Sequence, residues 1–436
     1  MLDFYPITSG SLSVKENSDS VIGYDSENKR WIQLNKSSED LLILCNGDHS
    51  VRDILFRLSE LYDCFNSESR RKALSVLNSL QDDGVIDFKS EPHPTPIRFR
   101  KYDFDWPLQA VFIEVTNKCN LECKHCYNHS SPNQRGGLNR QELFSFLDEI
   151  DELGVFKVYF TGGEPFFRQD FHEIVEHVHS KGIDIGILTN GTLIDSSDLD
   201  LLYEINPCFV AVSLDSIDDR KYREIRGISN RRVIENISKL KGRGIGVRIN
   251  TVLFRGLNDS YEDLINLLTF LKTKGFTEKD IAIDEFLQIG RGSGLDGYCL
   301  NQNDIILNIK RAFREVYDYE YSIKPTYADN EEPKKNSFCG IGESIFYLNS
   351  KGYITLCTVL NDERFKVGNI FEQSVRDVWE KSDLFVYFRE KRHITLTECA
   401  SCSYLCDCTG GCKAKSMLLS GAFDKPDCWM CRIFGK

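Results

Sequence analysis

No stretch of this chain approaches the ~20 consecutive apolar residues that a bilayer-spanning helix needs. With 41% apolar and 28% charged residues, its composition is that of an ordinary soluble protein. The opening residues, Met1-Leu-Asp-Phe-Tyr-Pro6, lack the basic start and apolar core of a secretory signal, so a cytoplasmic location is expected. Basic surplus is missing too: 54 Lys and Arg stand against 66 Asp and Glu, a formal net charge of -12. General affinity for nucleic acid needs cationic patches that displace counterions from phosphate, and this balance argues against it. Cysteine, by contrast, is plentiful. Sixteen of them in a chain without an export signal read as metal or redox ligands rather than disulfides, because the cytosol keeps thiols reduced. Nine of these fall between Cys339 and Cys431.

A chain of 436 residues has room for two or three domains. Residues 1–90 read as a winged-helix-like unit of two or three strands followed by three helices. Val21-Ile-Gly-Tyr24 and Trp31-Ile-Gln-Leu34 flank the polar turn Asp25-Ser-Glu-Asn28, which predicts a hairpin. Ser37 or Ser38 is expected to cap a helix carrying Leu41, Leu42 and Cys45. Ser50 with Asp53 forms a capping box for the next, and Leu74, Leu77 and Leu80 mark a third before the strand Val85-Ile-Asp-Phe88. The prolines of Glu91-Pro-His-Pro-Thr-Pro96 break both periodicities, so 91–106 reads as a linker. From 107 to 300, strand-like runs at 111–115, 155–160, 183–189, 209–214, 247–253 and 281–287 alternate with amphipathic helices. Such repeats predict an α/β fold, a parallel sheet curved into an open, partial (β/α)6 barrel of the TIM type. Its chemistry would sit at the C-terminal ends of the strands. A bridging region at 301–330 leads to 331–436, poor in periodicity, which reads as an irregular domain held together by metal.

The densest motif is Cys119-Asn-Leu-Glu-Cys123-Lys-His-Cys126, on the loop leaving the first barrel strand. Three thiolates can hold three irons of a 4Fe-4S cluster and leave the fourth open. Zinc sites want four closed ligands and ferredoxins add a fourth cysteine; none lies nearby. Later strands end in Thr161-Gly162-Gly163-Glu164-Pro165, Asn190-Gly-Thr192 and Ser213-Leu-Asp215. These offer glycines that admit a ligand to the backbone, a carboxylate that can pair with an ammonium, and small polar groups.

The triplet and these strand ends, in this order, resemble the radical S-adenosylmethionine superfamily. The resemblance implies that Cys119, Cys123 and Cys126 hold a cluster and that Gly162, Gly163 and Glu164 meet the methionine amino group. It also implies that Asn190 adds a cofactor contact, that Ser213 lies near the ribose, and that His125 borders the adenine. Tyr127 reads equally as packing. A reduced cluster would cleave S-adenosylmethionine to a 5'-deoxyadenosyl radical that takes a hydrogen atom from substrate, the protein supplying binding and orientation.

Further on, Cys339 is followed after twelve residues by Gly352 and after four more by Cys357; then come Cys399-x2-Cys402-x5-Cys408-x3-Cys412 and Cys428. This spacing resembles the SPASM domain of peptide-modifying radical enzymes, and Gly368-Asn369 fits the same pattern. By resemblance, Cys339, Cys357 and Cys412 would bind a first auxiliary 4Fe-4S cluster, and Cys399, Cys402, Cys408 and Cys428 a second. No cysteine follows Cys339 closely, so the first auxiliary cluster is open to a substrate thiolate or to a spare cysteine: Cys299, Cys406 or Cys431. A zinc ribbon over 399–412 is the alternative. Cys45, Cys64 and Cys208 read as residues without chemistry.

Residues 1–90 hold ten Lys or Arg against fifteen Asp or Glu, which disfavours DNA for a winged helix. The hairpin, Asn46-Gly47-Asp48-His-Ser-Val51 and Gly84-Val-Ile86 resemble the leader-recognition (PqqD-like) domain of ribosomal peptide maturases, which binds an extended leader as an added strand. Cys126-Tyr-Asn-His-Ser-Ser-Pro132, Thr189-Asn-Gly-Thr-Leu193 and Ser213-Leu-Asp-Ser216 resemble maturases of sactipeptides, including the subtilosin type. The implied activity is an intrapeptide thioether from a Cys sulfur to an alpha carbon of a leader-bearing precursor peptide, with a flavodoxin or ferredoxin as electron donor. Alternatives are a carbon-carbon link such as Lys-Trp, epimerisation, a sulfatase-type protein maturase, and an iron-sulfur DNA-binding regulator.

Overall fold

The computed structural model describes residues 1–8, 12–16, 21–25, 29–95, 98–101, 106–300, 302–321, 339–390, 398–399, 401–404 and 408–435. Residues 26–28 of the expected turn, residues 322–338 and Cys406 lie outside them. The chain divides into two compact units, Met1–Pro107 and Leu108–Lys436. None of the described helices is long and apolar enough to cross a membrane.

In the first unit the expected hairpin is formed by β3 (Val21–Asp25) and β4 (Arg30–Leu34), antiparallel with Val21 opposite Leu34. Three further strands had too few apolar positions to be read from sequence. β1 (Tyr5–Thr8) pairs with the closing strand β5 (Ile86–Lys89), and β2 (Leu12–Glu16) lies beside β3. β6 (Arg98–Lys101) runs parallel to β2, so the stretch read as a linker contributes an edge strand. The sheet order is β4-β3-β2-β6.

Three helices follow the hairpin: α1 (Lys36–Leu44), α2 (Val51–Leu61) and α3 (Ser67–Asp82). Neither Ser37 nor Ser38 caps α1. Asn35 does, its Oδ1 accepting from Ser38 N at 2.9 Å, because an amide oxygen one residue before the helix reaches the free N–H groups of the first turn. The Ser50 and Asp53 capping box of α2 is present. Leu41, Leu42, Ile54, Leu55, Leu58, Leu77 and Leu80 bury against Leu12, Val14 and Val21 of the sheet.

The second unit is an α/β layer structure. Its parallel strands are β7 (Ala110–Thr116), β8 (Lys157–Gly162), β9 (Asp184–Thr189), β10 (Phe209–Ser213), β11 (Val247–Leu253) and β12 (Ile281–Glu285). They are joined by helices α4 (Arg140–Glu152), α5 (Phe171–Ser180), α6 (Ser196–Ile205), α7 (Asp219–Arg226), α8 (Arg231–Gly242) and α9 (Tyr261–Thr273). Every residue of β7 is buried, as expected of a parallel strand covered on both faces. One face carries Ala110, Phe112, Tyr159, Phe209, Ala211 and Tyr347 as a common core.

After α10 (Gln302–Tyr317), the region expected to be irregular continues this sheet. β13 (Ile345–Leu348) pairs parallel with β7, and β14 (Tyr353–Thr355) and β15 (Lys366–Asn369) follow antiparallel, giving the order β12-β11-β10-β9-β8-β7-β13-β14-β15. Runs of three and four residues are too short to show a period of two. Helices α11 (Val375–Lys381), α12 (Asp383–Glu390), α13 (Lys413–Ser420) and α14 (Cys428–Ile433) complete the unit.

Candidate functional site

Cys119, Cys123 and Cys126 lie on the loop leaving the C-terminal end of β7 and pack together with Leu121 and Ile228. The loop is tied down by its backbone: Cys119 N donates to Ser131 O at 3.1 Å, Lys124 N to Ile225 O at 3.0 Å. Each sulfur receives an N–H donor. Leu121 N lies 3.4 Å and Asn190 Nδ2 3.7 Å from Cys119 Sγ, Ser130 N lies 3.3 Å from Cys126 Sγ, and Arg226 Nη1 lies 4.0 Å from Cys123 Sγ. Donors aimed at sulfur suit cluster thiolates, whose potential such bonds tune. Burial pushes the Cys119 thiol up to about 12, with Glu164 adding to it, and raises that of Cys123. Among the described residues no three His, Cys, Asp or Glu close on a single metal ion.

Gly162 and Gly163 stand where the end of β8 meets the end of β7 and the start of the cysteine loop. A Cβ on Gly162 would sit 2.3 Å from Thr116 O, and one on Gly163 1.9 Å from Lys118 O. The end of β8 is thus pressed against the cysteine loop, with Glu164 N donating to Lys118 O at 2.9 Å. Glu164, expected to meet an ammonium, is turned into the protein. Its Oε1 accepts from Thr189 Oγ1 at 2.6 Å and Phe166 N at 3.2 Å, and its Oε2 from Asn190 N at 2.7 Å. Burial pushes this carboxyl up to about 7.

Asn190 braces the same loop, donating to Asn120 Oδ1 at 2.9 Å and accepting from Thr192 N at 2.9 Å. Ser213 ends β10 half-buried. His125 stands edge-on to Phe254, ring centroids 5.3 Å apart. Its buried Nδ1 has no hydrogen-bond partner among the described residues, and burial, helped by Arg226, lowers its pKa to about 4. The imidazole is therefore neutral. Tyr127 bonds Thr161 and lies within electrostatic range of Glu114, Cys126 and Cys357.

Besides Arg226, two groups at this site were not legible in the sequence. Arg291 donates from Nη1 to Cys123 O at 2.8 Å, from Nη2 to Ser130 O at 2.7 Å and from its backbone N to Cys126 O at 2.9 Å. Its neighbour Gly290, at φ 55°, has Cys126 O and Tyr127 O only 2.4 Å from where a Cβ would be. The glycines either side of Arg291 were the one available signal. The second group is Glu114, whose carboxylate accepts from Asn128 Nδ2 at 2.7 Å and Ser350 Oγ at 2.8 Å.

The later cysteines fall into two sets. Cys339 interacts with Cys412 and Cys357, and burial raises all three thiols, that of Cys357 up to about 12. Cys408 and Cys431 each interact with Cys399, and Cys431 also with Cys428 and Cys402. Burial pushes the Cys408 and Cys431 thiols up to about 11. Cys431 stands one turn along α14 from Cys428. Cys299 packs near Phe254 and Phe286 at the barrel, with Gln288 Nε2 at 2.8 Å from its sulfur. Cys45 is buried, Cys64 exposed and Cys208 half-buried.

The radical SAM superfamily model matches residues 113–268, and the SPASM iron-sulfur cluster-binding domain matches 339–403. Over 403 residues the chain is 27% identical to the antilisterial bacteriocin subtilosin biosynthesis protein AlbA of Bacillus subtilis, covering 89% of this chain and 85% of that protein. It is 26% identical over 357 residues to the AdoMet-dependent heme synthase of Nitratidesulfovibrio vulgaris, covering 76% and 94%. The crystal structure of Streptococcus suis SuiB bound to S-adenosylmethionine shares the fold at a TM-score of 0.66 and 19% identity, covering 96% of this chain and 98% of that one.

Proposed function

Because the chain belongs to the radical SAM superfamily and carries a SPASM domain, we propose that it matures a ribosomally made, leader-bearing precursor peptide by forming an intrapeptide crosslink, a thioether from a Cys sulfur to an alpha carbon. The observation that carries the reading is the triplet itself. Three sulfurs, each met by an N–H donor, stand at the C-terminal end of a barrel strand, where such folds keep their chemistry. This donor set fits a 4Fe-4S cluster with one open iron. Cys119, Cys123 and Cys126 would hold it, the peptide backbone at Gly162-Gly163 together with Asn190 and Ser213 would hold S-adenosylmethionine, and neutral His125 would border the adenine. When bound, these groups supply a reductively generated carbon radical that takes a hydrogen atom from the peptide.

The chain's own residues order and shield that site. Asn190 and Arg291 fix the cysteine loop, and Glu164 ties the ends of β8 and β9 to each other. Cys339, Cys357 and Cys412 would hold a first auxiliary cluster open to the substrate thiolate. Cys399, Cys402, Cys408 and Cys428 would hold a second. In the first unit, β4 is an outer strand that pairs with β3 on one side, which suits leader capture by strand addition. The relative AlbA is named for biosynthesis of a bacteriocin, and SuiB has also been crystallised with its precursor peptide SuiA; both support a peptide substrate. A flavodoxin or ferredoxin in the cytoplasm would supply electrons.

The test is anaerobic incubation with a leader-bearing precursor peptide from the same organism, followed by tandem mass spectrometry. Loss of two hydrogens, with fragmentation interrupted between one cysteine and one acceptor residue, is expected. An unmodified precursor, or one bearing a carbon-carbon link, overturns the thioether assignment.

A further inference from the structure

Arg226 closes α7 at 7% exposure. Its Nε donates to Asp215 Oδ2 at 2.5 Å and its Nη2 to Asp215 Oδ1 at 3.2 Å. That fork uses two of its three nitrogens and leaves Nη1 facing Cys123 Sγ at 4.0 Å. Asp215 is itself fixed: its Oδ1 accepts from Val252 N at 2.9 Å, and its carbonyl from Asn258 Nδ2 at 2.8 Å. The guanidinium therefore has little freedom to point elsewhere.

The bland account is a buried ion pair that only packs the barrel. It explains the fork and leaves the third nitrogen unexplained. The loop does not need Arg226 as a brace, since Arg291 grips the carbonyls of Cys123 and Ser130. The sulfurs also differ. Cys119 and Cys126 accept from neutral donors, the backbone N–H groups of Leu121 and Ser130 and the Asn190 amide, whereas Cys123 is met by a cation. A cationic N–H aimed at a cluster thiolate stabilises the more negative, reduced cluster and so raises its reduction potential. The carboxylate behind the cation opposes this, and the pair acts as a dipole whose positive end faces sulfur.

We propose that Arg226 is a positioning residue that sets the reduction potential of the cluster on the triplet by aiming one N–H at Cys123 Sγ, with Asp215 holding that aim and partly cancelling its charge. The inference rests on the reading of Cys119, Cys123 and Cys126 as cluster ligands.

The test is a redox titration of the reconstituted enzyme followed by electron paramagnetic resonance, read on the signal that changes when S-adenosylmethionine is added. Arg226→Gln should move the midpoint to lower potential, Arg226→Lys by less, and Asp215→Asn to higher potential. A structural brace would not give opposite signs for the two members of one ion pair. Unmoved midpoints, or shifts of one sign in both, overturn the proposal. So does loss of the signal in both Arg226 variants with native circular dichroism, which marks a brace. Should Asp215→Asn fail to fold, the order of the two Arg226 variants decides. A wild-type enzyme with no signal sensitive to S-adenosylmethionine overturns instead the ligand reading beneath it.

Discussion

Tyr347 donates its phenol hydrogen to Glu114 Oε2 at 3.0 Å, joining the strand that follows Cys339 to the strand that precedes Cys119. Glu114 is 2% exposed, and Asn128, two residues after Cys126, and Ser350 also donate to it. One carboxylate thus links the loop of the first three cysteines to the region of the auxiliary ones. Asn361 Nδ2 lies 3.5 Å from Oε2 as well, so replacing the carboxylate by leucine leaves four donors unmet, each costing about 1–3 kcal/mol when buried. We expect Glu114→Leu to lose about 3 kcal/mol or more of stability by denaturant unfolding of the apo-protein. Loss below 1 kcal/mol contradicts a bonded network.

Glu164 makes stability depend on pH. Its carboxyl is pushed from 4.5 up to about 7 by burial, so between those values the folded protein holds a proton that the unfolded chain has released. Stability should therefore rise as pH falls through that window and level off below it. Melting temperatures from pH 8 to pH 4.5 should show this slope in the wild type and a flatter one in Glu164→Gln. Identical slopes remove the assignment.

Replacement of Cys119, Cys123 and Cys126 by alanine should abolish reductive cleavage of S-adenosylmethionine. Anaerobic reconstitution of the wild type should give about twelve irons per chain, and of the triple variant about eight. Saturation of the wild type near four contradicts the auxiliary assignments.

Gly290 is the most sensitive backbone position near the triplet. At φ 55°, with two carbonyl oxygens 2.4 Å from a Cβ, alanine would push away the segment bearing Cys126 and Tyr127. Gly290→Ala should lose about four irons and cleavage activity, while the remaining iron stays bound. Full iron content with normal cleavage contradicts this.

Removal of Met1–Pro107, the whole first unit, should weaken precursor binding at least tenfold by fluorescence anisotropy while cleavage without precursor continues. A cut at residue 90 would leave β6 behind. Unchanged leader affinity assigns recognition to the rest of the chain.

The barrel strands were legible by pattern: the run 111–115 lies within β7, buried throughout, and 247–253, whose buried positions alternate, is β11 residue for residue. The hairpin and the Ser50 cap were legible because turns and caps are local chemistry. β13 to β15 were not, since four apolar residues beside Gly and Ser carry no period. Arg226 and Arg291 were hidden for another reason. Arg226 at the end of α7 reads as an ordinary surface cation, Arg291 as one residue of a glycine-rich loop, and only tertiary folding brings them to Cys123. The hydrogen bonds of Glu164 and the close approach at Gly163 were hidden for the same cause: sequence names the residues near a site, while the direction of each side chain is decided by neighbours far along the chain.

The parallel pairing of β13 with β7, from Ile345 opposite Ala110 to Leu348 opposite Ile113, makes the SPASM region an extension of the barrel's own sheet. A chimera that exchanges this region between relatives at residue 330 would ask a foreign edge to match four backbone pairings and the Tyr347 bond to Glu114. Exchange should tolerate divergence elsewhere far better than a mismatch along β7, so this seam, rather than the cluster spacing, sets which auxiliary regions can be transplanted.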